Sequence, residues 1–377
     1  MKVMHILDSL NRGGAETLAL DVCRNARAHN LDLTFVATGG GDLEGDFRGS
    51  GVVFQRLQRR LPVDLRLAMK LGRIIKDRGI DVVHTHQAVE SLHAYLATRG
   101  TKVKRVMTYH LCTADTKNRL ALKFLAPRLD VGVAVSWDLL QCLREAGLEQ
   151  ATNFQVIPNG VAPERLRVSD LTLRSELGIA DNTLLFGMVG NFYADGRKDQ
   201  QTICRALPKF FERIPNARFI FIGRAFKDSA ALLEECQDIC RQNSIADRVH
   251  FLGIRSDVAN ILHSLDGYVH SSVNESQGIA VVEAMLVGLP VIVSDIGALV
   301  EVTGNGDCAL VFRTGDAEDL TGKLIKLAEG QGLRAELAAR GREHATRNFT
   351  IDAHIRNLLG LYENIAGVKQ PMPLGPT

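Results

Sequence analysis

Short apolar runs recur along the chain and alternate with stretches whose apolar residues fall at helical spacing. Lys2–Leu7 is the first such run and reads as a buried parallel strand; NRGGAE over Asn11–Glu16 follows, and Thr17–Arg27 takes up a helical period. The same reading places strands at Leu33–Thr38, Val52–Leu57, Val82–His84, Arg105–His110 and Val131–Ser136, with a turn at Gly39–Gly41 and helices at Met69–Arg78, Ser91–Thr98 and Leu120–Arg128. Around Val156 the text becomes VIPNGVAPERLRVSD, with two prolines and no long apolar run, which reads as a linker. The alternation then restarts, with strands at Leu184–Val189, Arg218–Gly223, Val249–Leu252, Gly267–Ser271, Pro290–Ser294 and Leu310–Phe312, and helices at Gln200–Arg213, Ala230–Asn243, Val258–Ser264 and from about Gly278. Strand–helix alternation on this scale argues for parallel, doubly wound sheets, and 377 residues exceed what one core usually supports. The expected fold class is α/β, two Rossmann-like doubly wound domains facing across a cleft. The domains are expected at 1–160 and 161–348, followed by an amphipathic closing helix at Phe349–Ile365 and a fraying tail at Gln370–Thr377.

The stretch Ser272–Pro290, SVNESQGIAVVEAMLVGLP, carries two carboxylates, Glu275 and Glu283, eight residues apart with Gly278 between them. If a helix starts near Gly278, Glu275 lies in the loop before its positive end and Glu283 lies about a turn and a half inside. A helix N-terminus offers free N–H groups to a phosphate, whereas carboxylates repel one and accept hydrogen bonds from hydroxyls. The combination suits a ligand with phosphates in the middle and hydroxyls at each end, such as a nucleotide sugar. The plainer reading is a helix-start acid and a surface acid. Against it, Glu283 sits inside IAVVEAMLV, where a carboxylate is costly unless it accepts hydrogen bonds that ribose hydroxyls would supply.

Other candidates stand at the ends of apolar runs. Gly13 and Gly14 would let the backbone approach a ligand and adopt positive φ, although the spacing G-x-G-x-x-G of a dinucleotide loop is missing. His84 and His86 in VVHTHQ and His110 in MTYH end neighbouring strands. Three histidines raise the question of zinc, but no carboxylate or cysteine stands with them at ligand spacing. A polar lining of the substrate cleft is preferred, with His110 in direct contact. Lys198, in NFYADGRKDQ, can neutralise phosphate as a point charge, and Arg197 and Arg224 can do so with a fork of donors; a solvated basic loop is the alternative. No Asp-x-Asp follows an apolar strand, so no carboxylate-held Mg²⁺ is expected, and cationic side chains and backbone N–H groups would have to stabilise a leaving diphosphate.

Composition changes this picture little. The chain is 46% apolar and 23% charged, ordinary for a globular protein, and its net charge of +2 calls for no nucleic acid. Charge is unevenly spread, because Arg56–Arg128 holds sixteen Lys or Arg against five Asp or Glu, a local excess of +11. That face is either a solvated surface or one that attracts anionic lipid or an acidic acceptor. Seven scattered cysteines without Cys-x-x-Cys read as reduced thiols, with Cys236 and Cys240 on one helix face. MKVMHILDSL is unlike a signal peptide, and no run is long enough to cross a bilayer. The expected location is cytoplasmic, with any membrane contact peripheral at the inner face.

These residues resemble the retaining glycosyltransferases of family four, which have the GT-B fold. The resemblance covers nearly the whole chain. It rests most on the E-x7-E element in ESQGIAVVEAMLVGLPVIVSD, supported in order by GGAE, DVVHTH, VIPNGV, VGN with RKDQ, FIGR and FLGIRSDV. It implies a donor nucleotide sugar held mainly by the second domain and an acceptor held mainly by the first, no cofactor and no metal. It implies that Glu283 binds the ribose hydroxyls and Glu275 faces the donor sugar, with Gly278 and Ile279 giving backbone donors to the diphosphate. By the same resemblance Gly14 approaches from the other domain, Lys198 and Arg224 form a cationic clamp, Ile254 contacts the base through its backbone and His110 contacts the transferred sugar. The closing helix is implied to cross back to the first domain. Two positions depart from the family pattern: Asn191 stands where arginine is common, with Arg197 a candidate replacement, and Gln277 where phenylalanine is common.

The expected reaction is therefore transfer of a sugar, with retention, from a nucleotide diphosphate sugar to an acceptor hydroxyl of a glycan, glycolipid or small molecule. A sugar-nucleotide epimerase would act on the donor alone. A non-catalytic binding protein, the reading that Asn191 and Gln277 suggest, would bind nucleotide without turnover.

Overall fold

In a computed structural model of the chain, described over residues 1–112, 116–148, 153–168 and 170–367, the apolar runs assemble into two all-parallel sheets. The first holds β1 (Lys2–Leu7), β2 (Asp32–Ala37), β3 (Val53–Arg56), β4 (Val82–Thr85), β5 (Lys104–Tyr109), β6 (Val131–Ala134) and β7 (Phe154–Val156), in the order β3-β2-β1-β4-β5-β6-β7. The second holds β8 (Leu184–Val189), β9 (Ala217–Ile222), β10 (Val249–Phe251), β11 (Gly267–His270), β12 (Val291–Ser294) and β13 (Ala309–Phe312), in the order β10-β9-β8-β11-β12-β13. Interior strands such as β4, β6, β11 and β12 are buried at every residue, which is why they read as continuous apolar runs rather than as alternation. The chain divides into two compact units, Met1–Val161 with Thr350 onward, and Ala162–Phe349.

Both sheets wind outward in two directions from their first strand. Neighbouring loops therefore diverge at the carboxyl ends of β1 and β4 in the first unit and of β8 and β11 in the second. A crevice opens at such a switch point, and ligands of open α/β sheets bind there. The segments carrying Gly13, Gly14 and His86, and those carrying Asn191, Lys198 and Glu275, leave the sheets at these places.

Several local expectations change. The first helix is Gly14–Asn25, three residues earlier than its periodicity suggests, and Gly13 before it is extended at φ −146° and ψ 175°. Neither Gly13 nor Gly14 has positive φ. A Cβ at Gly13 would fall 2.5 Å from Glu16 Oε2, whereas nothing lies within 4 Å of one built on Gly14. Helices at Glu44–Arg48, Trp137–Glu145, Gly297–Val302, Ala317–Glu329 and Gln331–Asn348 had no place in the sequence reading. The longest of them buries only Leu337, Gly341 and Ala345, one residue per turn, too narrow a stripe to show as periodicity. β7 also joins the edge of the first sheet, so the proline-containing connection starts only after Val156.

The closing helix runs Ile351–Ile365, and the Thr350 side chain caps it by accepting the Ala353 N–H at 3.3 Å. It belongs to the first unit, where it packs on the Gly14–Asn25 helix, and it buries residues including Ile355, Leu358 and Tyr362. The first residues of the proline-containing connection hold it in place. Val161 bridges to Thr350, and His354 Nδ1–H donates to the Pro158 carbonyl at 2.7 Å. Gly160 has no room for a side chain, since a Cβ would lie 2.6 Å from the Thr350 carbonyl oxygen. The tail expected at Gln370–Thr377 lies outside the described residues.

The cysteines require a correction. Cys112, just beyond β5, and Cys142, on the helix Trp137–Glu145, are joined as a disulfide with their Cα atoms 6.1 Å apart, while the other five cysteines are buried free thiols. The pairing was invisible in the sequence because 30 residues separate the two and only the winding of adjacent strand–helix units brings them together. Thiol titration of the denatured protein should therefore find five reactive groups without reductant and seven after reduction. Seven groups without reductant would show that the bond does not form.

Candidate functional site

In the second unit the loop after β8 returns alongside the loop after β11. Lys198 bridges to Ser272, Asp199 N–H donates to the Ser271 carbonyl at 3.0 Å, and Val273 N–H donates to the Arg197 carbonyl at 2.9 Å. Ser272, fully buried, adds a hydroxyl bond to Arg197 O at 2.6 Å and takes the Ser294 hydroxyl on its own N–H at 2.8 Å. This pairing fixes Lys198 against Glu275. Their side chains form an ion pair, each only 14% exposed. His270, at the end of β11 and fully buried, places Nε2 2.7 Å from Glu275 Oε1 and 3.1 Å from Lys198 Nζ. Its Nδ1 lies 3.1 Å from the Tyr268 hydroxyl, which also reaches the backbone of Val189 at the end of β8.

Burial, with the Lys198 charge beside it, holds the His270 imidazole neutral, its pKa well below the usual value. A neutral ring serves either the carboxylate or the ammonium through Nε2, not both at once. Burial and the Arg197 charge pull the Lys198 ammonium down to about 7, while the touching Glu275 carboxylate favours the charged form. The cluster thus holds a cation and an anion side by side in a largely dry place, where both act more strongly than in water.

The helix after it is Ile279–Val287, entered through Gly278 at φ 85° and left through Gly288 at φ 89°. Gly278 is required twice over, by the left-handed backbone and because a Cβ would meet Leu299 Cδ2 at 2.5 Å. That turn aims the first amides of the helix, beginning at Ile279, away from its own carbonyls. Glu283, in the second turn, has a side chain 15% exposed and is paired at 3.5 Å with Arg165. Gln277 is buried.

The remaining predicted residues of this unit divide. Asn191 organises the strand ends, with Oδ1 accepting the Arg224 N–H at 2.8 Å and its carbonyl taking Gln200 Nε2 at 3.2 Å. Arg197 is engaged locally, its guanidinium on Asp195 at 2.9 Å and 5.0 Å above the Tyr193 ring. Arg224 is exposed and lies 5.6 Å over Phe226, outside the hydrogen bonds of the cluster. Ile254 is 65% exposed in the loop after β10.

In the first unit the three histidines do come together, yet not as a lining. His84 and His86 are 1% and 6% exposed, so they belong to the core; only His110 keeps an accessible edge. His86 Nδ1 lies 3.1 Å from His110 Nε2, His86 Nε2 3.4 Å from His5 Nδ1, and the Tyr362 hydroxyl 2.9 Å from His5 Nε2. Gly14 opens the helix that follows β1, with clear space above it. Among the described residues no group of three or more His, Cys, Asp or Glu side chains is placed to hold a metal ion.

Sequence reasoning missed His270, Tyr268, Arg165, His5 and Tyr362. His270 bore the same mark that singled out His84 and His110, a histidine closing an apolar strand, and could have been found. Arg165 and Tyr362 had no local signal, since each meets its partners across more than a hundred residues of chain.

Two family models match, the one described as glycosyl transferases group 1 over residues 170–344 and the one described as glycosyltransferase family 4 over residues 12–165. Among curated relatives, N-acetyl-alpha-D-glucosaminyl L-malate synthase of Bacillus anthracis is 26% identical, with 81% of this chain and 80% of that protein covered. Phosphatidyl-myo-inositol mannosyltransferase of Mycolicibacterium smegmatis is 28% identical, with 97% of this chain and 89% of that protein covered. Among solved structures, a glycosyltransferase from Rickettsia africae superimposes with a TM-score of 0.85 at 19% identity, covering 97% of this chain and 98% of that one. An Anabaena protein in complex with UDP and glucose does so at 0.80 and 20%, covering 97% and 100%. With matched models on both halves, relatives along nearly the full length and the two doubly wound sheets in common with these structures, the chain belongs to glycosyltransferase family four and has the GT-B fold.

Proposed function

We propose that the protein transfers a sugar from a nucleotide diphosphate sugar to an acceptor hydroxyl with retention of anomeric configuration and without a metal. The observation that carries this reading is the ion pair of Lys198 and Glu275 with His270, set at the switch point of the second sheet just before the helix Ile279–Val287. The relatives add support, one being named for transfer from UDP-Gal and one neighbour holding UDP-glucose. In this reading Gly278 and Ile279 give N–H groups to the diphosphate, Lys198 supplies the positive charge, Glu283 takes the ribose hydroxyls and Glu275 faces the sugar. Ile254 meets the base through its backbone, and His110 and Gly14 act from the first unit. Arg224, exposed and not tied into the cluster, is free to swing to the phosphates, whereas Arg197 must first leave Asp195.

The chemistry balances without a protein nucleophile. The bond from the anomeric carbon to the diphosphate oxygen breaks, the bond to the acceptor oxygen forms on the same face, and the acceptor proton passes to the leaving diphosphate oxygen. A nearby cation and helix end lower the cost of the charge that develops there.

Glu275→Ala should lower transfer at least a hundredfold in a variant that still folds, with a lowered melting transition because Lys198 loses its partner, measured with the donor found by a thermal-shift screen of nucleotide sugars; near-normal transfer by the folded variant would remove the assignment. In that assay product from donor alone would indicate epimerisation instead, and full activity in EDTA is expected.

Glu275→Gln should also unmask the lysine. Burial and the Arg197 charge already hold Lys198 at about 7 in the wild type, and removal of the carboxylate that touches it should move it lower. Its charge is then lost at lower pH than in the wild type, so the fall in affinity for UDP or GDP with rising pH should be centred at lower pH in the variant, read by calorimetry between about pH 5 and 8. Equal pH dependence in the two proteins would contradict the role of the ion pair.

A surface feature favours an acceptor at an anionic membrane. At the start of the helix Leu65–Arg78, Leu61, Val63, Leu65 and Met69 are 51–64% exposed beside the exposed Arg60, Arg66, Lys70 and Arg73. Apolar side chains flanked by cations suit an interface rich in acidic lipid, and among the described residues no helix is long and apolar enough to cross a membrane. The protein should sediment with vesicles containing phosphatidylglycerol and not with pure phosphatidylcholine, and Leu65→Glu with Met69→Glu should abolish the difference. Equal binding to both vesicles, or none, counts against the proposal.

A further inference from the structure

The buried histidines of the first unit form a single line of hydrogen bonds whose direction can be worked out. Thr108 Oγ1 lies 2.7 Å from His84 Nε2, and His84 Nδ1 meets the Tyr362 hydroxyl. From that hydroxyl the line continues to His5 Nε2 at 2.9 Å, from His5 Nδ1 to His86 Nε2 at 3.4 Å, and from His86 Nδ1 to His110 Nε2 at 3.1 Å. Among the described residues Thr108 Oγ1 has no other hydrogen bond, and the side chain is buried. Every ring in the line is neutral. Burial pushes His5 to about 3, His110 to about 4 and His84 and His86 well below the usual value, with mutual repulsion adding to it. His354, the further histidine facing the line, is itself pushed to about 4 by burial and spends its Nδ1–H on the Pro158 carbonyl.

A neutral imidazole has one N–H and one bare nitrogen, and a phenol has one proton, so choosing one donor fixes all the others. If the line ran from His110 inward, His84 Nε2–H would donate to Thr108 and the threonine proton would be buried with no acceptor. An unmet buried donor is costlier than a hydroxyl oxygen with a spare lone pair. The line therefore runs outward. Thr108 O–H donates to His84, His84 Nδ1–H to Tyr362, Tyr362 O–H to His5, His5 Nδ1–H to His86 and His86 Nδ1–H to His110. This leaves His110 with Nε2 occupied as acceptor and its proton on Nδ1, where the ring has no partner among the described residues.

We propose that Tyr362, on the closing helix, is a positioning residue that locks His110 in the Nδ1–H tautomer through His5 and His86, so that His110 offers a ligand oxygen a hydrogen-bond donor rather than an acceptor. This rests on the reading above that His110 contacts the transferred sugar, and it adds what kind of contact it makes. Tyr362 is the one non-histidine that stands between two histidines of the line, and it is the joint at which a helix from the far end of the chain sets a side chain at the end of β5.

The test is long-range proton–nitrogen NMR on the full chain labelled in its histidine rings. His5, His84, His86 and His110 should all carry hydrogen on Nδ1 and none on Nε2, the reverse of the form free histidine prefers. Hydrogen on Nε2 of His110 in the wild type overturns the proposal. Tyr362→Phe, which keeps the ring and removes the hydroxyl, should move a measurable share of His110 to Nε2–H and lower kcat with little change in acceptor KM. An unchanged His110 pattern in the folded variant overturns the role of Tyr362, and if that variant does not fold, His5→Phe makes the same break one step further on and is judged by the same signal. His110→Ala separates the two levels: normal transfer by it would defeat the sugar contact, while the ring spectra still decide the tautomer.

Discussion

A lysine ammonium and a glutamate carboxylate held together with little water is the constraint on which the second unit depends. Burying either ion alone would be far costlier than any hydrogen bond in the loop could offset, so each requires the other, and both require the paired segments around Ser272 to hold them in register. Such a pair gives weak net stability. Under the proposed function such a pair could be exchanged: a phosphate arriving beside Lys198 would compete for the cation that Glu275 now holds, and a sugar hydroxyl would compete for the carboxylate. His270, neutral and able to serve only one of the two, links that exchange to Tyr268 and the end of β8.

The first unit handles polar groups in its core by a different rule. Its buried histidines carry no charge and meet one another and two hydroxyls, so the cost of burial is limited to direction: each donor must find an acceptor. A line that satisfies all of them has one sense, and its outer end is the histidine at the accessible edge. The closing helix takes part through Tyr362 and is held by Gly160, Val161 and His354. This helix is thus more than a cover for apolar surface.

Legibility followed the range of the forces involved. The strands could be read because a parallel strand covered on both faces must be apolar along its length, and nearly every one was found within a residue or two, β7 being the exception. The Ala- and Arg-rich helix Gln331–Asn348 could not, since it buries a single narrow row and owes its place to neighbours. Gly278 was legible as a helix start, whereas the glycines near the first strand were misjudged, because open space and positive φ look alike in a sequence and the structure provides the first at Gly14 without the second. Of the candidate site, Glu275, Lys198 and Glu283 were legible through residue type and position. Their partners His270 and Arg165 were not read, and Arg197, read as a phosphate ligand, is spent on Asp195.

By itself the sequence determined two doubly wound sheets, the helix that starts at Gly278 and the acids on either side of it, because periodicity, glycine conformation and charge act over a few residues. Only the tertiary structure decided which of those charges would be neutralised, which histidines would be buried, that Cys112 would meet Cys142, and that Tyr362 would set the proton on His110. Ion pairs, disulfides and hydrogen-bond direction depend on distances between atoms far apart in the chain, and those distances exist only once the sheets have formed.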